Sequence, residues 1–353
     1  MADTAKKVAL AGYGFAGRIF HATSLVITPG LELAKVVSSD WSKVVNDLPS
    51  VEVVPSFHEA IADPEIEVVV LATPNQSHFP LAQAALQAGK HVVVDKPFTI
   101  TSAEAAALVQ LATEKERVLS VFQSRRWDGD FLTIKKLLAT GLLGDIYSCE
   151  IRYDRFRPDV RVRWREQDLP GSGILYDLGA HLIDQAVQLF GVPKAITADL
   201  RNQRPGAQTT DYFHLLFDYG ALQVVLHSSC LVKEPGPHFQ IHGNRGSFVK
   251  YGMDPQEAAL LRGERPSLNN PYWGKETAEW YGTLTAATGG LEVSKAKIET
   301  LPGDYPGYYR QLAACLEGKG PVPVLATEAA KNIELIEKAI QSSQERRTIV
   351  LDA

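Results

Sequence analysis

The chain has 353 residues, of which 45% are hydrophobic, and a formal net charge of -5. This length is sufficient for two domains, each with its own apolar core. The slight negative charge provides no global field to attract nucleic acid, and no apolar run approaches the ~20 residues of a membrane span. The polar start of the chain lacks a secretory hydrophobic region. We therefore expect a cytoplasmic protein that binds neither nucleic acid nor membrane.

The three cysteines are Cys149, Cys230 and Cys315, and they are widely separated in the sequence. Their number is odd and no CxxC pair occurs. Such spacing is typical of small buried side chains in a reducing compartment. The cysteines therefore predict neither a disulfide framework nor a zinc site.

Residues 1–123 alternate short apolar runs with helical stretches. The helical periods are clearest at 77–88 and 101–116. Strands that are buried on both faces and separated by helices are typical of a parallel, doubly wound sheet. We predict an N-terminal Rossmann domain over residues 1–123. Its strands are expected at 8–12, 33–38, 66–72, 91–95 and 118–122.

The pattern changes after this point, where helices are predicted at 129–140, 174–190 and 326–342. After the first of these helices, short apolar stretches follow one another, with hairpin turns at 219–220 and 244–246. Consecutive strands with short turns favour an antiparallel sheet. We predict a second α/β domain over residues 124–353 with a large, mostly antiparallel sheet. Its strands are expected at 145–154, 195–200, 211–218, 221–230, 238–243 and 246–250.

A GxGxxG motif lies between the first predicted strand and a helical stretch at 15–26. It comprises Gly12, Gly14, Phe15, Ala16 and Gly17 with one intervening residue. The glycines allow a tight turn, close approach of a pyrophosphate, and packing of helix on strand, while the helix N-terminus supplies N–H donors. Alone, the motif could be an ordinary turn. The later βαβ units favour dinucleotide binding.

The end of the second predicted strand indicates which dinucleotide binds. NAD sites carry an acid about 20 residues past the third glycine, and here Ser38 and Ser39 occupy that place. An acid would repel the 2′-phosphate of NADP, whereas two hydroxyls accept it and Lys43 can add positive charge. The pattern predicts NADP. In the alternative interpretation, Asp40 is a displaced acid and the cofactor is NAD.

Asp95, Lys96 and Pro97 follow the strand at 91–95, at the edge where open α/β sheets bind ligands. A lysine there can hydrogen-bond to a substrate oxygen and stabilise its developing negative charge. Pro97 restricts Lys96 to an extended conformation. Taken alone, however, these three residues favour a surface lysine before a turn proline over a catalytic lysine.

The helix at 174–190 carries a second polar cluster. Asp177, His181, Asp184 and Gln188 follow helical spacing beside an apolar stripe. Flanking carboxylates would raise the basicity of His181 and fix its tautomer, as a general base for a hydroxyl proton requires. A solvated polar face is the alternative, and the residues alone favour neither.

Together these segments resemble the Gfo/Idh/MocA oxidoreductase family over essentially the whole chain. The resemblance rests on the order and spacing of the GxGxxG motif, the segments 72–78 and 89–97, and the Asp177-x-Gly179-x-His181 helix. The family more often has Glu-Lys-Pro where this chain has Asp95, a common variant that retains the lysine. The segments 122–128, 155–158 and 161–166 are similar to a subgroup that contains NADP-dependent scyllo-inositol dehydrogenase.

The resemblance implies a Rossmann domain followed by an α/β domain whose open sheet often mediates homodimers or homotetramers. It implies that His181 takes the hydroxyl proton, that Lys96 polarises the same oxygen, and that Asp177 holds an adjacent hydroxyl or orients the site, with no metal. The segments that carry the resemblance place further cofactor contacts at Thr73, Pro74, Asn75, His78, Asp95, Trp164 and Arg165.

The implied activity is NADP(H)-dependent hydride transfer between nicotinamide and a ring hydroxyl or ketone of a polyol or sugar, with scyllo-inositol as a candidate substrate. One alternative is a reductase of another carbonyl, such as a keto-sugar or a dicarbonyl. Another is a non-catalytic regulator that senses NADP. Such a regulator could dispense with Lys96 and His181, so the presence of both favours an enzyme.

Five arginines occur at alternate or near-alternate positions: Arg155, Arg157, Arg161, Arg163 and Arg165. In an extended segment, odd-numbered residues share one face. We expect up to two of the five to contact substrate or cofactor. A solvated loop is the alternative interpretation for the others.

Overall fold

The computed structural model describes residues 5–287 and 293–351. Contacts within the chain define two compact units. The first unit comprises Met1–Trp127, Gln256–Trp273 and Asp304–Ile333, and the second comprises Asp128–Pro255, Gly274–Gly303 and Glu334–Ala353. The domain boundary after residue 123 stays a prediction.

The strands, in chain order, are β1 (Lys6–Ala11), β2 (Leu31–Val37), β3 (Glu52–Val54), β4 (Ile66–Leu71), β5 (His91–Asp95), β6 (Leu119–Phe122), β7 (Ile146–Arg152), β8 (Ala195–Arg201), β9 (Tyr212–Asp218), β10 (Gln223–Ser229), β11 (Phe239–Gly243), β12 (Gly246–Lys250), β13 (Gly282–Ala287), β14 (Val293–Ile298) and β15 (Ile349–Val350).

The α-helices are α1 (Thr23–Leu25), α2 (Trp41–Asp47), α3 (Phe57–Ala62), α4 (His78–Gln87), α5 (Ser102–Glu114), α6 (Gly129–Ala139), α7 (Ala180–Phe190), α8 (Pro255–Leu261), α9 (Pro306–Leu316) and α10 (Ala326–Glu345). π-Helical turns cover Gly17–Ala22 and Leu175–Gly179, and 3₁₀ turns cover Asn75–Ser77, Ser124–Trp127, Trp164–Glu166 and Ala278–Trp280. None of the helices, over the residues that the structure describes, is both long and apolar enough to cross a membrane.

The sheet of the first unit has the strand order β3-β2-β1-β4-β5-β6, and every neighbouring pair is parallel. Its central residues, such as Val8, Val69 and Val93, are fully buried, as expected for strands covered by helices on both faces. The predicted parallel, doubly wound sheet is confirmed. The order reverses between β1 and β4, and ligands of such sheets bind beyond the carboxyl ends of the strands at this switch point.

The second unit contains a nine-stranded sheet in the order β14-β13-β12-β11-β7-β10-β9-β8-β15. Only the β10–β7 pair among these described strands is parallel. The predicted large, mostly antiparallel sheet is therefore confirmed. Alternate residues such as Phe213, Leu215 and Phe217 are fully buried, because successive side chains of a strand point to opposite faces.

The helix predicted at 174–190 forms in two parts. The π-helical turn Leu175–Gly179 carries Asp177, and α7 continues from Ala180. The apolar side of α7 is buried in the second unit, where Leu182 and Ile183 are fully covered. This packing fixes the first turn of α7 and thereby the position of His181.

Candidate cofactor and catalytic sites

The glycine motif lies at the carboxyl end of β1, and its three glycines have different roles. Gly12 has a φ of +97°, and a Cβ there would lie 2.7 Å from the backbone oxygen of Ala72. At Gly17, a Cβ would lie 2.0 Å from the oxygen of Gly12. A Cβ at Gly14 would meet no atom within 4 Å. Thus Gly12 and Gly17 are required by the packing of the turn, whereas Gly14 leaves space where a ligand can approach the backbone.

A cavity of about 330 Å³ opens beside this motif in the first unit. It brings together six predicted cofactor residues: Gly12, Gly14, Ser38, Ser39, Lys43 and Thr73. The sequence did not identify Tyr13, Pro55, Phe57 and Leu81 as lining residues. Tyr13 stands inside the motif and could have been found there. Pro55 and Phe57 flank the start of a helix that the sequence did not predict.

Asp40, the acid of the alternative interpretation, also lines this cavity but is the N-cap of α2. Its Oδ1 accepts hydrogen bonds from the Lys43 backbone N–H at 3.1 Å and from Ser42 Oγ at 2.9 Å. These two bonds hold the pKa of Asp40 below its ordinary value. Asp40 therefore caps α2 through its Oδ1, and the choice between NADP and NAD stays a prediction.

Asp95 and Lys96 lie at the carboxyl end of β5. Oδ1 of Asp95 accepts a hydrogen bond from the Lys96 backbone N–H at 2.9 Å and lies 3.7 Å from Nε2 of His21. Burial of Asp95 favours its neutral form, but His21, Lys96 and His78 together hold its pKa below the ordinary value. A charged carboxylate therefore fixes the backbone from which the Lys96 side chain extends.

His21 connects this carboxylate to a buried tyrosine. Its Nδ1 lies 2.5 Å from the hydroxyl of Tyr309, and its ring packs against Phe122. In the tautomer with its proton on Nε2, the Nε2–H points towards Asp95. Nδ1 then accepts a hydrogen bond from the hydroxyl of Tyr309. Through His21, the position of Asp95 thus depends on a buried residue in the core of the first unit, Tyr309.

The loop after β4 contains four predicted cofactor residues, and they differ in exposure. Pro74 is exposed and Thr73 is half-buried, whereas Asn75 and His78 are buried. His78 has Nδ1 2.8 Å from the oxygen of Pro97 and Nε2 3.0 Å from the oxygen of Thr73. Its ring therefore joins the loops that follow β4 and β5. Whether these residues contact the cofactor stays a prediction.

In the second unit, the polar cluster of the 174–190 helix is enclosed. His181 is only 6% exposed and Asp184 only 2%, so the solvated-face interpretation is wrong for these two residues. Asp177 Oδ2 lies 3.7 Å from Arg155 and its Oδ1 lies 3.9 Å from Arg165. A buried histidine one turn beyond a carboxylate held by guanidinium groups is an arrangement suited to proton transfer.

Trp164 and Arg165 belong to the 3₁₀ turn Trp164–Glu166, and both are half-buried. The Arg165 guanidinium lies over the Trp164 ring, 4.9 Å from its centroid. This stacking and the contact with Asp177 give Arg165 a defined position in the second unit. The structure thus brings one predicted cofactor residue, Arg165, next to one predicted catalytic residue, Asp177.

Two family models match almost the whole chain. One is described as an oxidoreductase family, NAD-binding Rossmann fold, and covers residues 6–123; the other is described as an oxidoreductase family, C-terminal alpha/beta domain, and covers residues 135–351. The chain belongs to the Gfo/Idh/MocA family. As a Gfo/Idh/MocA protein it is an enzyme, an oxidoreductase that binds a nicotinamide cofactor and acts on CH–OH groups.

Two relatives align over nearly their full lengths. The chain is 50% identical over 345 residues to the uncharacterized oxidoreductase YdgJ of Escherichia coli, covering 98% of each chain. It is 45% identical over 349 residues to the scyllo-inositol 2-dehydrogenase (NADP(+)) IolW of Bacillus subtilis, covering 98% of this chain and 96% of that one.

Solved structures of other family members have the same fold. The yvaA protein of Bacillus subtilis superimposes with a TM-score of 0.97 at 43% identity and full coverage of both chains. An oxidoreductase from Bacillus cereus superimposes with a TM-score of 0.90 at 31% identity, covering 99% of each chain.

Proposed function

We propose that this enzyme transfers a hydride between NADP(H) and a ring hydroxyl or ketone of a polyol or sugar, with scyllo-inositol as the first substrate to test. The observation that carries the proposal is the 45% identity, over 98% of the chain, to an enzyme named scyllo-inositol 2-dehydrogenase (NADP(+)). The geometry of the cofactor cavity supports the choice of NADP, as follows.

The residues that line the cavity of the first unit are suited to the phosphate groups of NADP. Gly14 leaves open space at the end of β1, where the turn and the following helix can hold a pyrophosphate. Ser38, Ser39 and Lys43 line the part of the cavity that follows β2, where their hydroxyls and ammonium group would hold a 2′-phosphate. When bound, the nicotinamide would accept or supply the hydride.

Lys96, His181 and Asp177 would carry out the proton chemistry. The Lys96 ammonium group would donate a hydrogen bond to the substrate oxygen and stabilise its negative charge. His181 would take the hydroxyl proton as general base during oxidation and return it during reduction. Asp177 would accept a hydrogen bond from a neighbouring hydroxyl and so orient the ring.

We further expect a small-molecule substrate as the main partner, assembly into a homodimer or homotetramer, and a location in the cytoplasm. These expectations follow from the resemblance and the composition, and light scattering of the purified protein tests the oligomeric state.

A substrate screen with purified enzyme tests the proposal. Initial rates would be measured with scyllo-inositol, myo-inositol and a panel of sugars in the presence of NADP, and with keto-sugars, aldehydes and dicarbonyls in the presence of NADPH. We expect the largest kcat/KM with a cyclic polyol or sugar, or with its ring ketone. Turnover confined to aldehydes or dicarbonyls would contradict the proposal and support a reductase of another carbonyl.

A further inference from the structure

A small arginine-rich cavity lies in the second unit. Its volume is about 20 Å³, roughly the space of one water molecule, so it can admit one oxygen of an anionic group but not a whole phosphate or a sugar ring. Its charged lining residues are Arg155, Arg157, Arg163, Arg165, Arg204, Glu166 and Asp177. Arg161, the remaining arginine of the run in the sequence, does not line it.

Two of these arginines are neutralised by nearby acids. The Arg204 side chain, only 4% exposed, lies 2.9 Å from Asp211 and 3.1 Å from Glu166. Arg163 lies 2.7 Å from Glu166 as well. The negative charges of Asp211 and Glu166 are therefore balanced by Arg163 and Arg204, and they offset little of the charge of the other arginines.

Apart from Glu166, the carboxylate in the described part of the lining is Asp177. Asp177 is shared by Arg155 and Arg165 at the long distances of 3.7 and 3.9 Å. Among the described residues, the five guanidinium groups of the lining thus face the two carboxylates of the lining and Asp211, which pairs with Arg204. Because an arginine stays protonated at any physiological pH, the cavity carries an excess of positive charge.

The excess of positive charge has its largest effect on Arg157. Among the residues that the structure describes, no carboxylate forms an ion pair with its half-buried guanidinium. Its backbone is pinned, because its N–H donates to the Cys230 oxygen at 2.7 Å and its oxygen accepts from Arg204 at 3.2 Å. Burial, followed by the charges of Arg155, Arg163 and Arg161, lowers the pKa of Arg157, and the charge of Asp177 only partly offsets this shift.

The partly buried charge of the Arg157 guanidinium has an unfavourable free energy as long as no anion is bound. Partial burial of a charge without a counter-charge costs free energy, and repulsion from other arginines adds to that cost. A planar guanidinium hydrogen-bonds carboxylate and phosphate oxygens with two parallel bonds. An incoming oxyanion would therefore remove both penalties at once.

We propose that an oxyanion of the sugar or polyol substrate, a carboxylate or a phosphate, binds the arginines of this cavity and places one of its oxygens inside it. The assignment to the substrate rests on the proposed function, because Asp177 belongs both to the cavity lining and to the proposed catalytic group. The phosphates of the cofactor have their own cavity in the first unit, beside Gly14 and Ser38. Sugar acids or sugar phosphates would accordingly bind more tightly than neutral polyols of the same size.

The direct test is anion binding by the full chain, without turnover. Isothermal titration would measure binding of D-glucuronate, D-glucose 6-phosphate, inorganic phosphate and neutral xylitol to the wild type, Arg157→Gln and Arg161→Gln. We expect at least one of the anions to bind the wild type, and Arg157→Gln to weaken it at least ~10-fold, or about 1.4 kcal/mol. Arg161→Gln, a matched exposed arginine outside the lining, should change it less than ~2-fold. Equal anion binding by the wild type and Arg157→Gln, or no anion binding by the wild type, would overturn the proposal.

Two further measurements, of Tm and of NADP affinity, distinguish a lost anion site from misfolding and from a cofactor effect. Arg157→Gln should keep or raise the Tm, because it removes like-charge repulsion and no ion pair, so weaker anion binding would not reflect misfolding. NADP affinity should be the same in Arg157→Gln and the wild type; a loss confined to NADP would assign the oxyanion to the cofactor and overturn the proposal. If no polyol or sugar is turned over, the proposed function fails, and the titration still decides whether the cavity binds anions.

Discussion

Lys96 is tied to its neighbour Asp95 by a hydrogen bond of 2.9 Å from its own backbone N–H to the Asp95 carboxylate. The carboxylate is in turn faced by His21 at 3.7 Å, and His21 is bonded to Tyr309. The residue before the lysine therefore holds the backbone of Lys96 in place, and the contact of the Lys96 side chain with the substrate oxygen stays a proposal. This explains how aspartate can replace the glutamate that is more usual at this position.

Replacement of Lys96 by alanine should separate binding from chemistry. We expect Lys96→Ala to lower kcat by about 100-fold or more, because one donor to the developing alkoxide is lost. The dissociation constant of NADP, measured by fluorescence titration, should stay near that of the wild type. Lys115→Ala, which changes an exposed lysine at the end of α5, serves as the control. Unchanged turnover in Lys96→Ala would remove this residue from the mechanism.

His181 should determine the pH dependence of alcohol oxidation near neutrality. A general base must be neutral to accept a proton, so kcat of the wild type should rise with pH through the range where histidine titrates. His181→Ala should be slower and should show no such rise. The matched control is His58→Ala, since His58 is an exposed histidine of α3. A pH profile that survives in His181→Ala would assign the base to another group.

The cofactor preference should depend on the end of β2. We expect kcat/KM for NADP to exceed that for NAD at least ~10-fold, or about 1.4 kcal/mol. Ser38→Asp should reverse or abolish this preference, because its carboxylate would repel the 2′-phosphate and accept hydrogen bonds from the ribose of NAD. Ser50→Asp adds the same charge at an exposed site outside the cavity lining and should leave the preference unchanged. A wild type that prefers NAD would refute the assignment.

The glycines of the motif should respond differently to alanine. In Gly17→Ala the new Cβ would overlap the oxygen of Gly12 at 2.0 Å, and overpacking of this kind costs about 1–3 kcal/mol. Thermal denaturation should therefore show a lower Tm. Gly14→Ala meets no atom within 4 Å, so its Tm should stay near that of the wild type while its affinity for NADP falls. Equal effects of the two variants on Tm would argue against this division of roles.

The parts of the fold that the sequence predicted are those with strong apolar patterns. The apolar runs of β1, β4 and β5 were found because strands of a parallel sheet are buried on both faces. β3 has three residues and β15 has two, too few to show a period. β14, with the sequence VSKAKI, is half polar, and residues 294–297 are exposed. α9 was missed because Pro306 and Gly307 suggest a turn, although proline is well suited to the first turn of a helix.

The sequence predicts residues for the candidate site, an assignment that stays a prediction, but it could not predict their surroundings. The positions of Lys96 and His181 follow from local motifs. Helical spacing alone does not distinguish a solvated polar face from an enclosed one, so the burial of His181 and Asp184 required the structure. The contact between His21 and Asp95 joins residues far apart in the sequence, and no local pattern could reveal it. The shared cavity of Arg155, Arg157, Arg163 and Arg165 likewise depends on tertiary packing, since these residues do not form one strand.

Isotope transfer tests the central claim most directly. The enzyme would be incubated with NADP and scyllo-inositol that carries deuterium on its ring carbons, and the reduced cofactor would be analysed by mass spectrometry. We predict one deuterium on each nicotinamide that is reduced, and a transfer rate at least ~100-fold lower in Lys96→Ala. Absence of deuterated cofactor with scyllo-inositol and with every other deuterated polyol or sugar tested would contradict the account.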